Sequence, residues 1–213
     1  MITPDLSIVH KNKHFVVVDK PSGVLSVPGR GPDKQDCITE RVKKAFPECI
    51  QHPSVHRLDM DTSGLLAVAL TAEAQKALSN QFQNHRTKKR YIALLEGLLK
   101  ESEGIIELPF RLDIDNRPHQ IYDEVHGKMG ITHWKKIRIE DAFTRIEFRP
   151  VTGRTHQLRV HSAHARGLGI PIVGDPLYGT GTQAGEMKLH ACELTLFHPV
   201  SDEEMTFESE VPF

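Results

Sequence analysis

The segments 134–139 (WKKIRI) and 143–148 (FTRIEF) are separated only by Glu140, Asp141 and Ala142, and this short join constrains the fold more than any other feature of the sequence. Parallel neighbours need a crossover of about a dozen residues or more, so two strands joined this tightly run antiparallel. β-Branched or alternating runs at 14–19, 65–70, 90–95, 105–108, 189–196 and 205–208 predict further strands. Helices are predicted over 36–46, which ends before Pro47, and over 72–85, where Ala74, Ala77, Leu78, Gln81 and Phe82 recur at helical spacing. A third is predicted over 155–165. Strands outnumber helices, so the expected fold is α+β: a mainly antiparallel, mixed sheet flanked by helices and loops. A chain of 213 residues suits one large domain or two small, closely packed subdomains, and a single domain over 1–213 is expected. The polar segment 114–131 is expected to be a long, irregular and mobile excursion.

Lys and Arg number 27 against 28 Asp and Glu, a net charge of -1, which excludes a protein coated in basic charge. Any polyanion must therefore meet a local patch. His85, Arg86, Lys88, Lys89 and Arg90 form one such cluster, Lys135, Lys136 and Arg138 another, and Arg154, Arg159 and Arg166 a third. Acidic residues gather instead at Asp202, Glu203, Glu204, Glu208 and Glu210. Cys37, Cys49 and Cys192 form no CxxC pair, so neither a disulfide framework nor a thiolate zinc site is indicated. No apolar run approaches the ~20 residues that span a bilayer, and residues 1–10 lack a signal-peptide core. A cytoplasmic protein without membrane contact is expected.

The densest chemistry lies at 55–64 (VHRLDMDTSG), directly before the apolar run 65–70. Asp59, Asp61, Ser63 and Gly64 mimic the start of a calcium loop, but the position that requires a bidentate Glu is Leu70. The GxGxxA match at 179–184 follows Asp175-Pro176-Leu177-Tyr178 where a dinucleotide site needs a hydrophobic strand. No phosphate loop, zinc helix or nucleophile elbow is present. His156 and His161 are five residues apart, about 140° around a helix, which is poor spacing for a shared metal. No metal site is expected.

Several motifs occur in a fixed order: VVDKPSG at 17–23, HRLD at 56–59 with TSG at 62–64, KRY at 89–91, TGRTHQLRVH at 152–161, PIVGD at 171–175 and LHA at 189–191. In this order the chain resembles the RluA-type pseudouridine synthases over nearly its whole length. The resemblance implies an RNA-modifying isomerase with its active site in a central cleft, acting on uridines of ribosomal RNA, transfer RNA or both. The motifs start close to residue 1, so a catalytic domain without the N-terminal S4-type RNA-binding module of some relatives is expected, as are a monomer and no cofactor. Asp59 is then the essential carboxylate, Tyr91 the active-site tyrosine and Arg159 the basic partner of Asp59.

These roles agree with the chemistry. Detaching uracil from its sugar and rejoining it through a ring carbon calls for an anionic group beside the sugar. Asp59 can attack the anomeric carbon or remove the proton on the neighbouring sugar carbon, and the residues leave both routes open. An arginine at close range favours an ionised carboxylate and holds it in place. Tyr91 combines a ring that stacks on uracil with a phenolic oxygen that exchanges a proton. From the resemblance and its side-chain type, Arg57 is expected to fill the gap left by a flipped uridine or to clamp the RNA backbone, and Lys88, Lys89, Arg154 and His156 are expected to contact phosphates. A catalytically silent RNA-binding protein on the same fold has no need of Asp59, Tyr91 and Arg159 together. A metal-dependent hydrolase using Asp59 and Asp61 lacks a second ligand set.

Overall fold

The computed structural model describes residues 6–213. In chain order the elements are β1 (Ser7–Lys11), β2 (Phe15–Lys20), a 3-10 turn (Pro32–Lys34), α1 (Ile38–Ala45), β3 (Ser63–Ala69), α2 (Ala72–Gln83), β4 (Lys88–Leu95), β5 (Glu103–Leu112), β6 (Gln120–Tyr122), β7 (Lys128–Glu140), β8 (Phe143–Pro150), α3 (Gln157–Ala163), β9 (Leu189–Phe197) and β10 (Glu204–Glu208). The fold is α+β and its sheet is mainly antiparallel. By contacts the chain divides into two compact units, one running through Lys89 and resuming at Ala191–Pro212, the other covering Arg90–His190 with Phe213.

In the first unit the strand order is β1-β2-β3-β9, with β10 also on β9. The pairs β1–β2, β2–β3 and β9–β10 are antiparallel. β3 (SGLLAVA) is buried at every position because it has a strand on either side, so it reads as a continuous apolar run without alternation. α2 begins at Thr71, whose hydroxyl accepts from Ala74 N–H at 3.3 Å, an N-cap that satisfies one of the helix's orphan donors. Its Leu78 joins Phe15, Val17, Leu65, Ala67, Leu194, Leu196 and Phe207 in the core. Gln81, buried on the same helix, exchanges two hydrogen bonds with the backbone of Phe197 and so fixes α2 against the end of β9.

The second unit orders its strands β4-β8-β7-β5-β6, each pair antiparallel. The expected hairpin is present as β7 and β8, with Glu140 opposite Phe143. Ile106, Leu108, Phe110, Trp134, Ile146 and Phe148 alternate inward and pack against Leu158 and Val160 of α3. The stretch 114–131 is more ordered than its composition suggests: Gln120–Tyr122 pairs with β5, and β7 already starts at Lys128. A three-residue strand carries no period, which is why pattern reading passes over β6. β1 was likewise not anticipated, because it is almost wholly exposed and has a register shift between Ile8 and His10.

Candidate active site

The loop that carries Asp59 is fixed to β3 before β3 begins. Pro53 O accepts from Ala69 N–H, and Ser54 bridges to Val68. His56 then lays its ring on Phe82, with centroids 4.1 Å apart, and its Nε2 accepts from Ala67 N–H at 2.9 Å. Burial, with the Lys89 cation adding to it, pulls the His56 pKa down to about 3, so the ring stays neutral and keeps the lone pair that this bond uses. Arg57 is exposed, and Asp59 is half-buried just beyond it. Gly64 closes the loop with φ +109, and a Cβ there would strike the backbone of Ala191.

Lys20, which sequence reasoning left as one letter of a motif, is wholly buried under this loop. Its ammonium donates to Pro21 O, Val24 O and Met60 O at 2.9, 2.7 and 2.8 Å. Burial lowers its pKa to about 8 against the opposing pull of Asp61 and Asp59, and three carbonyl acceptors satisfy all three donors.

Arg159 and Tyr91 belong to the second unit. Tyr91 sits on β4 opposite Phe148, half-buried against the core. Arg159 is buried on α3, and its Nε and Nη2 donate to the two oxygens of Asp175 at 2.8 and 2.6 Å, a bidentate pair. Sequence reasoning assigned Arg159 to Asp59 and overlooked Asp175, although Asp175 closes the quoted PIVGD motif. Asp175 also accepts from Leu177 and Tyr178 N–H. Burial acts to raise its pKa, but hydrogen bonds and charge from Arg159, with the two amides, outweigh this and hold the carboxyl below its usual range.

The rest of TGRTHQLR is built around the same place. Tyr178 lies under the Arg159 guanidinium at 5.3 Å, accepts from Gln120 N–H and bonds His156 Nδ1 at 2.8 Å. His156 has φ 56, a left-handed conformation unusual for a side-chain-bearing residue, immediately before α3. Gln157, buried, binds Thr152, Thr132, Ile131 O and Arg154 N–H, which fixes the turn. Arg154 is exposed, with Nε donating to Met129 O at 3.3 Å. The structure thus gathers Arg154, His156 and Arg159 on one turn and helix, while Lys88 and Lys89 alternate on β4. Lys88 is exposed and ion-paired to Glu204 at 2.7 Å; Lys89 is half-buried, and burial lowers its pKa. Among the described residues no three His, Cys, Asp or Glu side chains gather into a metal-binding group, and no helix is long and apolar enough to cross a membrane.

This combination, an antiparallel α+β frame presenting an HRLD loop and a separate TGRTHQLR helix start, is shared with known proteins. The family model for RNA pseudouridylate synthases matches residues 14–164, and the chain belongs to that family of RNA-acting isomerases. It is similar to the Yersinia pestis protein named dual-specificity RNA pseudouridine synthase RluA, with 43% identity over 97% of this chain and 99% of that one. The Escherichia coli K12 protein of the same name is 40% identical over 99% of this chain and 95% of its own length. Among solved structures, human RNA pseudouridylate synthase domain containing 1 superposes with a TM-score of 0.78 at 31% identity, covering 98% of this chain and 84% of that one.

Proposed function

We propose that this protein converts uridine to pseudouridine in ribosomal RNA, transfer RNA or both, as a cytoplasmic monomer that uses no cofactor. The carrying observation is the near-complete alignment at 40–43% identity to synthases named dual-specificity. In the proposed reaction Asp59 promotes cleavage of the bond between uracil N1 and the sugar C1′, as nucleophile at C1′ or as base at C2′. The freed uracil turns and C5 bonds to C1′, as the Asp59–C1′ ester bond breaks on the first route or C2′ regains its proton on the second; the C5 proton then leaves and N1 gains one, so atoms and charge balance without an oxidant. Arg159, held by Asp175, supplies fixed positive charge. Arg57 fills the space vacated by the flipped base, and Lys88, Lys89, Arg154 and His156 contact phosphates. A looped or distorted stem is the expected substrate form, because flipping there costs less than from an intact duplex.

The direct test is release of tritium from uridine labelled at C5, in a cognate stem-loop, after exhaustive chelation and dialysis of the enzyme. Full turnover is expected, because every proposed step uses protein groups and the uridine itself. Loss of turnover restored by one divalent metal, with the RNA still folded, would overturn the cofactor-free reading.

Tyr91→Phe separates the two proposed functions of that residue. Phe keeps the ring and deletes the oxygen, so RNA affinity should stay within about twofold while finished product falls roughly 10²-fold in single-turnover assays. A rate equal to the wild type would remove the proton-transfer role and leave stacking alone.

A further inference from the structure

The peptide on each side of Asp59 is gripped by residues 20–26. Before it, Ser26 Oγ donates to Leu58 O at 2.7 Å and accepts from Leu58 N–H at 3.1 Å, so one hydroxyl fixes both polar groups of that residue. After it, Met60 O receives Lys20 Nζ and, at 2.9 Å, Gly23 N–H, while Ser22 Oγ donates to Asp61 O. Thr62 N–H closes the turn onto the carbonyl of Asp59 itself at 3.2 Å. The grip is anchored in the core, because Leu25 O and Ser26 O accept from Ile38 and Thr39 N–H at the buried start of α1.

We infer that Ser22 and Ser26, together with Lys20, are positioning residues that set where the Asp59 carboxylate stands relative to the sugar. The inference rests on the proposed role of Asp59. Asp has a short side chain, so an error in its backbone passes almost undiminished to the carboxylate. A displacement of about 1 Å from productive geometry can cost ~10²-fold in rate without changing how the rest of the substrate binds. Ser26 restrains both the position and the tilt of the chain entering Asp59; Ser22 and Lys20 restrain the chain leaving it. Every contact is to backbone, so the grip survives substitution of Asp59 itself.

The experiment measures single-turnover rate, RNA dissociation constant and melting temperature for Ser26→Ala, Ser22→Ala and Asp59→Asn. Thr144→Val serves as the control. Thr144 is a buried hydroxyl that likewise donates to one backbone carbonyl, Gly97 O at 2.7 Å, and accepts from one N–H, that of Leu99 at 3.0 Å, but it belongs to the second unit. Ser26→Ala should slow the reaction about 10- to 100-fold and Ser22→Ala about 3- to 10-fold, with RNA affinity within twofold of wild type. Ser26→Thr, which restores the hydroxyl, should recover most of the rate, and Thr144→Val should lose melting temperature but not rate. Ser22 is only half-buried, so its variant tests the inference even where Ser26→Ala folds poorly. Folded Ser22→Ala and Ser26→Ala enzymes with wild-type rates, beside an inactive Asp59→Asn, would overturn the positioning role alone. An active Asp59→Asn would overturn the reading beneath it.

Discussion

Asp59→Asn is expected to abolish pseudouridine formation, by roughly 10³-fold or more, while the melting temperature and RNA affinity stay near wild type. Asn matches the size of Asp but can neither attack a sugar carbon nor take up its proton at neutral pH. The backbone of the loop should keep its place, because Ser26, Lys20 and Ser22 hold it through the backbone of Leu58, Met60 and Asp61, and Thr62 N–H through the carbonyl of residue 59. A tenfold drop in rate corresponds to about 1.4 kcal/mol of barrier, so the expected loss is about 4 kcal/mol or more of transition-state stabilisation. Turnover within tenfold of wild type would remove Asp59 from the chemistry. A lowered melting temperature with RNA binding lost in parallel would instead mark the substitution as structural.

The second large effect is on stability. Asp175→Ala leaves the buried Arg159 guanidinium without its bidentate partner and strips Leu177 and Tyr178 N–H of their acceptor. Removing one member of a buried pair typically costs about 3–5 kcal/mol, because the remaining charge stays desolvated after losing that partner. Urea denaturation should show a loss of that size, and Arg159→Met combined with Asp175→Leu should regain much of it while remaining inactive. A loss below about 1 kcal/mol would mean that Arg159 is adequately satisfied without Asp175. The pair also sets an acid limit. The carboxyl of Asp175 is held below its usual range in the folded protein, so its contribution is fully present above the unfolded-state value near 4 and is lost as pH falls through the folded value. His56 acts over a higher window: with a folded pKa of about 3 against an ordinary 6.5, its contribution is complete above 6.5 and declines as pH drops below it.

Much of this protein could be read from the chain alone. The tight join between Phe143 and the segment before it dictated an antiparallel hairpin, because chain geometry allows nothing else over three residues. The helical spacing through Leu78 and the apolar run of β3 placed α2 and the central strand. The ordered motifs placed the chain in its family and singled out Asp59, since such signals are local and survive without knowledge of neighbours. What tertiary structure alone decided is which groups meet. Arg159 and Asp175 pair because α3 and the loop after Ile172 are folded onto one core, and no period in the sequence encodes that encounter. Lys88 and Lys89, adjacent in sequence and read as one basic cluster, part company because side chains on a strand alternate, and Lys88 finds Glu204 only because the first residues of β4 and β10 are brought together. The buried ammonium of Lys20 and the two serines that hold the Asp59 loop are ordinary polar residues by composition. Folding makes them specific, because a polar group withdrawn from water must find a partner, and here the backbone around Asp59 supplies it.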